Sequence, residues 1–275
     1  MLNRLKRRIP NPVKTKIRYA YYLLASPLER LSRDPLTPPR RLVFVGASDF
    51  RKIGHELFQC FVDPGGLQPD DSVLDVGCGI GRMAVPLTGY LSSASRYEGF
   101  DVVPVGIEWC RSHITPRFPN FRFQLADIRN KTYNPGGSYQ ADAYAFPYPA
   151  DSFDFVIAIS VFTHMLPADV KHYVSEIARA MRPGARSFIT CFLLNPDSKL
   201  RMESGLSNRY FRQQPDGYYT VDERVAEMAI GYDEQVIREF YEADGLNIEE
   251  PIRYGLWSGK GDALTVQDVI IATKV

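Results

Sequence analysis

The stretch VLDVGCGIGRM, residues 73–83, sets three glycines at alternate positions behind a short apolar run that carries one acid, Asp75. An apolar run of this length closed by glycine reads as a buried strand ending in a turn. Glycines there accept positive φ and let a neighbouring group approach the backbone with no Cβ in between. Two kinds of site place glycines after a first strand. In the dinucleotide pattern G-x-G-x-x-G/A, the third small residue lets strand and helix pack beside a pyrophosphate. Counted from Gly77 and Gly79, that third position is Arg82, and the pattern present is G-x-G-x-G.

Asp75 sharpens the choice. A carboxylate two residues ahead of the glycines repels a pyrophosphate and attracts an ammonium or a sulfonium. S-adenosylmethionine carries both cations and no phosphate, so the charges favour it over NAD.

Outward from this turn, the chain alternates strands with helices. FRKIGHELFQCFV (50–62) reads as a helix with Ile53, Leu57, Cys60 and Phe61 on one face, stopped by Pro64-Gly65-Gly66. A helix is expected after Gly81. RYEGFDV (96–102) is a second strand, followed by a helix through Trp109 and Cys110, and FRFQLAD (121–127) is a third. DFVIAIS (154–160) is almost unbroken apolar sequence, the signature of a central parallel strand covered on both faces. A helix carrying Val170, Val174, Ile177, Ala178 and Met181 ends at Arg182-Pro183-Gly184, and RSFITCFLL (186–194) is a fifth strand. An amphipathic helix spans 232–246, and IEEPIRYGLW with QDVIIATKV closes the chain as an antiparallel pair. This alternation predicts an α/β fold, a doubly wound and mostly parallel seven-stranded sheet with an antiparallel C-terminal strand. Ligands of such sheets bind at the carboxyl ends of the strands, where the glycines lie.

Three further strand ends supply candidates. Asp101 can accept hydrogen bonds from both ribose hydroxyls, a device NAD sites share, or serve as a helix-capping acid. Asp127 can take an adenine amino group with Ile128 packed on the ring, or be a plain loop acid. Ser160 ends the fourth strand, where a transferred methyl group would point.

Five elements in order, VLDVGCGIGR (73–82), YEGFDVV (97–103), FQLADI (123–128), FPYPADSFDFVIAISVFTHM (146–165) and EIARAMRPGARSFIT (176–190), resemble the class I S-adenosylmethionine-dependent methyltransferases, small-molecule branch. The resemblance covers roughly residues 70–275 and departs from the family's usual pair of glycines at Gly184-Ala185. It implies a Rossmann-like fold and S-adenosylmethionine as cofactor. It also implies that Asp75, Gly77, Cys78, Gly79 and Gly81 line the methionyl side, with Arg82 near the helix start. Asp101 would hold the ribose, Val102 would lie against the adenine, and Asp127 with Ile128 would frame the base's other side.

The acceptor side is less patterned. A hydroxyl nucleophile needs a base within hydrogen-bond reach. His164, just past the fourth strand, is placed either as that base or substrate contact, or as a cap of the next helix; Thr163 and His55 are weaker candidates. His113 and His172 read as surface positions. The insertions 130–146 and 195–231 mix aromatics with turn formers, which suits a lid over a sugar, a glycolipid or an aromatic metabolite, or simply anchors the loops. Two other functions stand beside methyl transfer: an NAD(P)-dependent oxidoreductase, and a non-catalytic S-adenosylmethionine-binding partner protein.

Bulk composition bounds the rest. With 275 residues, 45% hydrophobic, the chain can hold one large domain, here residues 41–275, behind an arm and linker at 1–40. Cys60, Cys78, Cys110 and Cys191 are scattered and the four histidines dispersed, so neither a disulfide framework nor a metal site is expected. Residues 1–41 hold eleven Lys/Arg against Glu29 and Asp34, a charge of +9 that leaves −8 on the remainder. Such a basic helical arm, with the stripe Ile17, Tyr21, Leu24, Leu28, Leu31, either contacts an anionic membrane through residues 1–32 or packs on its own domain. No aromatic-basic module accompanies the charge, so nucleic acid is not expected as a partner. Without a long apolar run, a cytoplasmic location is expected, with association at the cytoplasmic membrane face as an option.

Overall fold

The computed structural model describes residues 34–44, 49–131 and 133–275. The arm 1–33, with its expected helical stripe, lies outside the described residues. Five strands run parallel: β1 (Val73–Val76), β2 (Tyr97–Asp101), β3 (Phe121–Leu125), β4 (Phe153–Ala158) and β5 (Met181–Cys191). Alternate side chains enter opposite layers, as the strand period of two demands. Leu74, Val76, Val156 and Ala158 join one core, and Val73, Phe155 and Ile157 the other. Helices α1 (Phe50–Val62) and α3 (Pro104–His113) cover the second face. There Phe61, fully buried, meets Phe188 edge-on at 5.1 Å. Truncating a ring so placed costs about 3–5 kcal/mol. The first face is covered by α4 (Pro167–Ala180) and α6 (Glu234–Ala243).

After Gly81 the expected helix is a single turn, α2 (Ala84–Leu87), with Pro86 inside it. β5 begins earlier than expected, at Met181, and runs through Arg182-Pro183-Gly184 with a register shift against β4. The C-terminal pair is β10 (Leu246–Ile248) with β11 (Asp268–Lys274); residues 249–257 form no strand, although Arg253 bridges Val269. The sheet order is β10-β11-β5-β4-β1-β2-β3, and β11 is antiparallel to both neighbours. The reversed strand is therefore inside the sheet, and β10 forms the edge. The chain adds β2 and β3 on one side of β1, then β4 and β5 on the other, so a crevice opens at the carboxyl ends of β1 and β4, where the strand order reverses.

The insertion 195–231 is not the loop lid its composition suggested. It forms α5 (Pro196–Glu203), β7 (Arg212–Gln213) and β8 (Tyr218–Thr220), which with β6 (Leu193–Leu194) and β9 (Ile230–Asp233) make a sheet of order β6-β9-β8-β7. Phe211 and Tyr219 are buried with Phe192 and Trp257 in a third core, while Tyr210 is exposed. The carboxylate of Asp268, fully buried, ties this unit to β11 by accepting from Leu193 N, Gly255 N and Trp257 Nε1 at 2.6–2.8 Å. Leu36, in the stretch expected as linker, and Leu42, Val43 and Phe44 after it pack on the second core, and Arg51 of α1 holds the segment through Thr37 and Asp34. Among the described residues, no helix is long and apolar enough to cross a membrane.

Candidate functional site

The glycine turn leaves β1 with all three glycines left-handed, at φ of +75°, +58° and +77°. Any Cβ on Gly77 would overlap Val161 Cγ2, whereas one on Gly79 would meet no protein atom within 4 Å. Gly79 therefore faces open space. The turn's backbone donors are already spent: Gly77 N and Cys78 N donate to Phe100 O, Gly81 N to Cys78 O, and Gly79 N to Asp101 Oδ2 at 2.8 Å. None of these four donors is left for a pyrophosphate, which argues against the dinucleotide alternative.

Above the turn lies a cavity of about 260 Å³. Asp75, Gly77, Cys78, Gly79, Arg82, Asp101, Val102, Ile128, Ser160 and His164 all line it, drawn from the ends of β1 to β4 as the sequence implied. Gly81 does not; a Cβ there would press on Ile114 and Cys110, so its role is packing of the turn on α3.

Asp75 is fully buried and accepts from the Tyr97 hydroxyl; burial pushes its carboxyl up to about 7 despite that bond. Asp101 uses Oδ1 for Val103 N at 2.8 Å and Oδ2 for Gly79 N, so it ties the segment entering α3 to the glycine turn. Burial raises its carboxyl as well, against the pull of these N–H groups. Each oxygen keeps a second lone pair for a ligand. The Cys78 thiol is pushed well up by burial and is inert as a nucleophile. Arg82 sits over the Phe50 ring at 5.9 Å, and burial lowers its guanidinium.

Asp127 departs from its expected place. It is exposed and does not line the cavity; hydrogen bonds from Ser138 hold its carboxyl below the usual range, and Asn134 joins them. Its neighbour Ile128, buried, keeps the cavity wall.

Ser160 is left-handed at φ +60°, a conformation rare outside glycine. Three side chains hold it there: Thr190 Oγ1 accepts from its N–H at 2.8 Å, Thr163 Oγ1 donates to its carbonyl, and its own hydroxyl donates to Gln267 Oε1. Thr163 is thus buried scaffolding, not a cavity residue. His164 follows on a 3₁₀ turn (Phe162–His164). It does not cap α4, whose first turn is capped by Asp169 Oδ2 accepting from Leu166 N. Instead His164 Nδ1 lies 2.8 Å from the carbonyl of Glu227, so Nδ1 carries the proton and Nε2 keeps the lone pair. Burial lowers the imidazole and favours this neutral form. Tyr133 meets the ring edge-on at 5.8 Å. His55 is exposed against Phe58, His113 stacks on Trp109, and His172 bonds Tyr144 O.

Sequence reasoning missed Tyr97, Asp169, Glu227 and Gln267. Only Tyr97 carried a local sign, a polar tip inside an apolar strand. Among the described residues, no group of three His, Cys, Asp or Glu is arranged to hold a metal ion.

Known proteins bear on this geometry. A methyltransferase-domain family model matches residues 74–189. The chain is 32% identical over 130 residues to a 27-O-demethylrifamycin SV methyltransferase of Amycolatopsis mediterranei, covering 47% of this chain and 42% of that protein. It is 30% identical over 121 residues to an O-methyltransferase of Penicillium expansum, covering 43% and 37%. It thus spans under half the length of these curated relatives. Magnesium protoporphyrin IX methyltransferase of Synechocystis, solved with bound SAH, shares the fold at a TM-score of 0.51 and 16% identity, over 95% of this chain and 100% of that one. Sheet order, glycine turn and matched residues agree that residues 74–189 carry a methyltransferase domain.

Proposed function

We propose that this protein methylates a hydroxyl of a small molecule, a sugar, glycolipid or aromatic metabolite, with His164 as the general base. The observation that carries this reading is the fixed tautomer of His164. With Nδ1–H committed to Glu227 O, Nε2 is an acceptor on a cavity-lining ring. Two of the curated relatives are by name an O-methyltransferase and a methyltransferase of a 27-O-demethyl compound, which supports oxygen as the accepting atom, while a third is by name a C-24-methyltransferase.

The cavity fits the cofactor. Gly79 offers open space where a side chain would stand, and Asp75 offers a buried carboxyl with no cation beside it among the described residues. When bound, S-adenosylmethionine supplies a methyl group already activated by the sulfonium. The residues around it have three tasks. Asp75 takes the ammonium side, Asp101 the ribose hydroxyls, and Val102 with Ile128 the two faces of the adenine, while Gly77, Gly79 and Arg82 shape the turn beneath. Asp127, turned away, is left out of the adenine site. Ser160 sets the strained bend that directs Val161 and His164 toward the acceptor. His164 then draws the hydroxyl proton onto Nε2 as oxygen attacks, contributing about 10²–10⁴-fold in rate. Exclusion of water and alignment supply the remainder. We also propose that residues 1–32 contact anionic membrane, a reading supported by their excess of Lys and Arg.

The test is a screen of source-cell extracts with methyl-labelled S-adenosylmethionine, followed by identification of the labelled product. His164→Ala should bind the cofactor normally and transfer at least 100-fold more slowly. Normal turnover would return His164 to a packing role, and calorimetric binding of NAD but not S-adenosylmethionine would end the methyltransferase reading. Vesicle co-sedimentation with and without residues 1–32 tests the membrane contact, which fails if the intact chain never co-sediments.

A further inference from the structure

Asp75 and Gly99 are opposite each other in the β1–β2 register, and Tyr97 stands two residues earlier on the same face of β2. Because Gly99 has no side chain, the Tyr97 ring can lean along the strand and bring its hydroxyl to Asp75 Oδ2. A Cβ on Gly99 would stand 3.2 Å from Tyr97 Cε1 and 2.9 Å from Cys78 Cβ, closing that path. Phe121, stacked on Tyr97 at 4.8 Å and 18°, fixes the ring from β3. Tyr97 has no solvent exposure, and among the described residues no other acceptor takes its hydroxyl.

Among the described residues, the groups facing Asp75 bring it no positive charge. They are Cys78 from the turn, Tyr97 and Asp101 from β2, and Cys110 from α3, while β4 presents Ile157. Two are neutral thiols, one is a phenol and one is another acid. A buried carboxyl without a counter-charge favours its protonated form. The cavity is the side from which a cation can reach it.

We propose that Tyr97 is a positioning residue for Asp75, and that binding of the cofactor's ammonium at Asp75 releases one proton to solvent. The inference rests on the cofactor reading above. Its balance is simple: the neutral carboxyl gives its proton to buffer, the carboxylate pairs with the ammonium, and no electron moves. Tyr97 makes the ionised form accessible by donating to it. Its own hydroxyl, pushed well above the usual range by burial, remains a donor throughout.

The experiment is calorimetric titration of the full chain with S-adenosylhomocysteine between pH 5.5 and 7.5, in two buffers of different ionisation enthalpy. The ligand's α-ammonium stands beside its own carboxylate and keeps its proton across that window. Wild type should gain affinity as pH rises and release up to about one proton per ligand at the acid end. Tyr97→Phe should shift the profile upward by about one pH unit, which is roughly tenfold weaker binding at pH 6. Asp75→Asn should release no proton and bind with a flat pH profile, a result that keeps the proposal open to refutation even if Tyr97→Phe does not fold. Wild-type binding that is flat in pH, or a folded Tyr97→Phe with an unshifted profile, overturns the proposal alone. Absence of S-adenosylhomocysteine binding at every pH overturns the cofactor reading together with it.

Discussion

Gly79→Ala separates the turn's contribution to folding from its contribution to binding. At φ +58° an alanine takes on the left-handed penalty of about 1–2 kcal/mol. It adds no clash with the protein, since no atom lies within 4 Å of the new Cβ. For a chain of this size the melting temperature should fall by roughly 2–6 °C. The methyl group enters the space assigned to the cofactor, where overpacking costs about 1–3 kcal/mol. Affinity for S-adenosylmethionine should therefore fall by roughly 10- to 100-fold. Gly184→Ala is the matched control. Gly184 has φ +79°, equally empty surroundings and an exposed position outside the cavity. It should lose the same few degrees and bind normally. Thermal unfolding and calorimetry on both variants decide the matter. If Gly79→Ala binds like wild type, the turn does not cradle the ligand, whatever the melting temperatures show.

Three further outcomes follow from buried groups. Asp75, raised to about 7 from 3.8, gives stability that is complete below pH 3.8 and lost as pH rises through about 7. Ligand-free wild type should thus lose more of its melting temperature between pH 5 and 8 than Asp75→Asn, and equal slopes would contradict the shift. Asp268→Asn turns an amide N–H₂ toward backbone or indole N–H donors, because donors approach both carboxylate oxygens. Chemical denaturation should show a loss of about 1–3 kcal/mol, and a neutral result would mean the three bonds are replaceable. The four cysteines are free and buried, with thiols raised by burial. An aromatic disulfide reagent at pH 8 should label none in the native protein and all four after unfolding; fast native labelling would place at least one at the surface.

The main sheet was legible because its signals are local. Period-two strands, the unbroken apolar run of β4 and glycines requiring positive φ are each contained in a few consecutive residues. What stayed hidden depends on distant partners. The strands of the second sheet are two to four residues long, too short to show a period, and they exist through pairing of Leu193–Leu194 with Ile230–Asp233. The group that fixes His164 is the backbone carbonyl of Glu227, sixty-three residues away, and a carbonyl leaves no mark on a sequence. The two acids at neighbouring strand ends show the limit most clearly. Asp101 closes β2 and Asp127 lies two residues beyond β3, and the sequence places both at the cofactor, the first on the ribose and the second on the adenine. Behind Asp101 the chain enters α3 at Pro104, so Val103 N–H and Gly79 N–H converge on the carboxylate and hold it at the cavity. Behind Asp127 the chain makes a loop that returns at Tyr139, whose N–H donates to the Asp127 carbonyl, and Ser138 with Asn134 draws the carboxylate outward. The acid's fate is thus decided by the segment that follows it. A strand-end carboxylate is held at a cavity when N–H groups from two neighbouring turns converge on it, as those of Val103 and Gly79 do on Asp101.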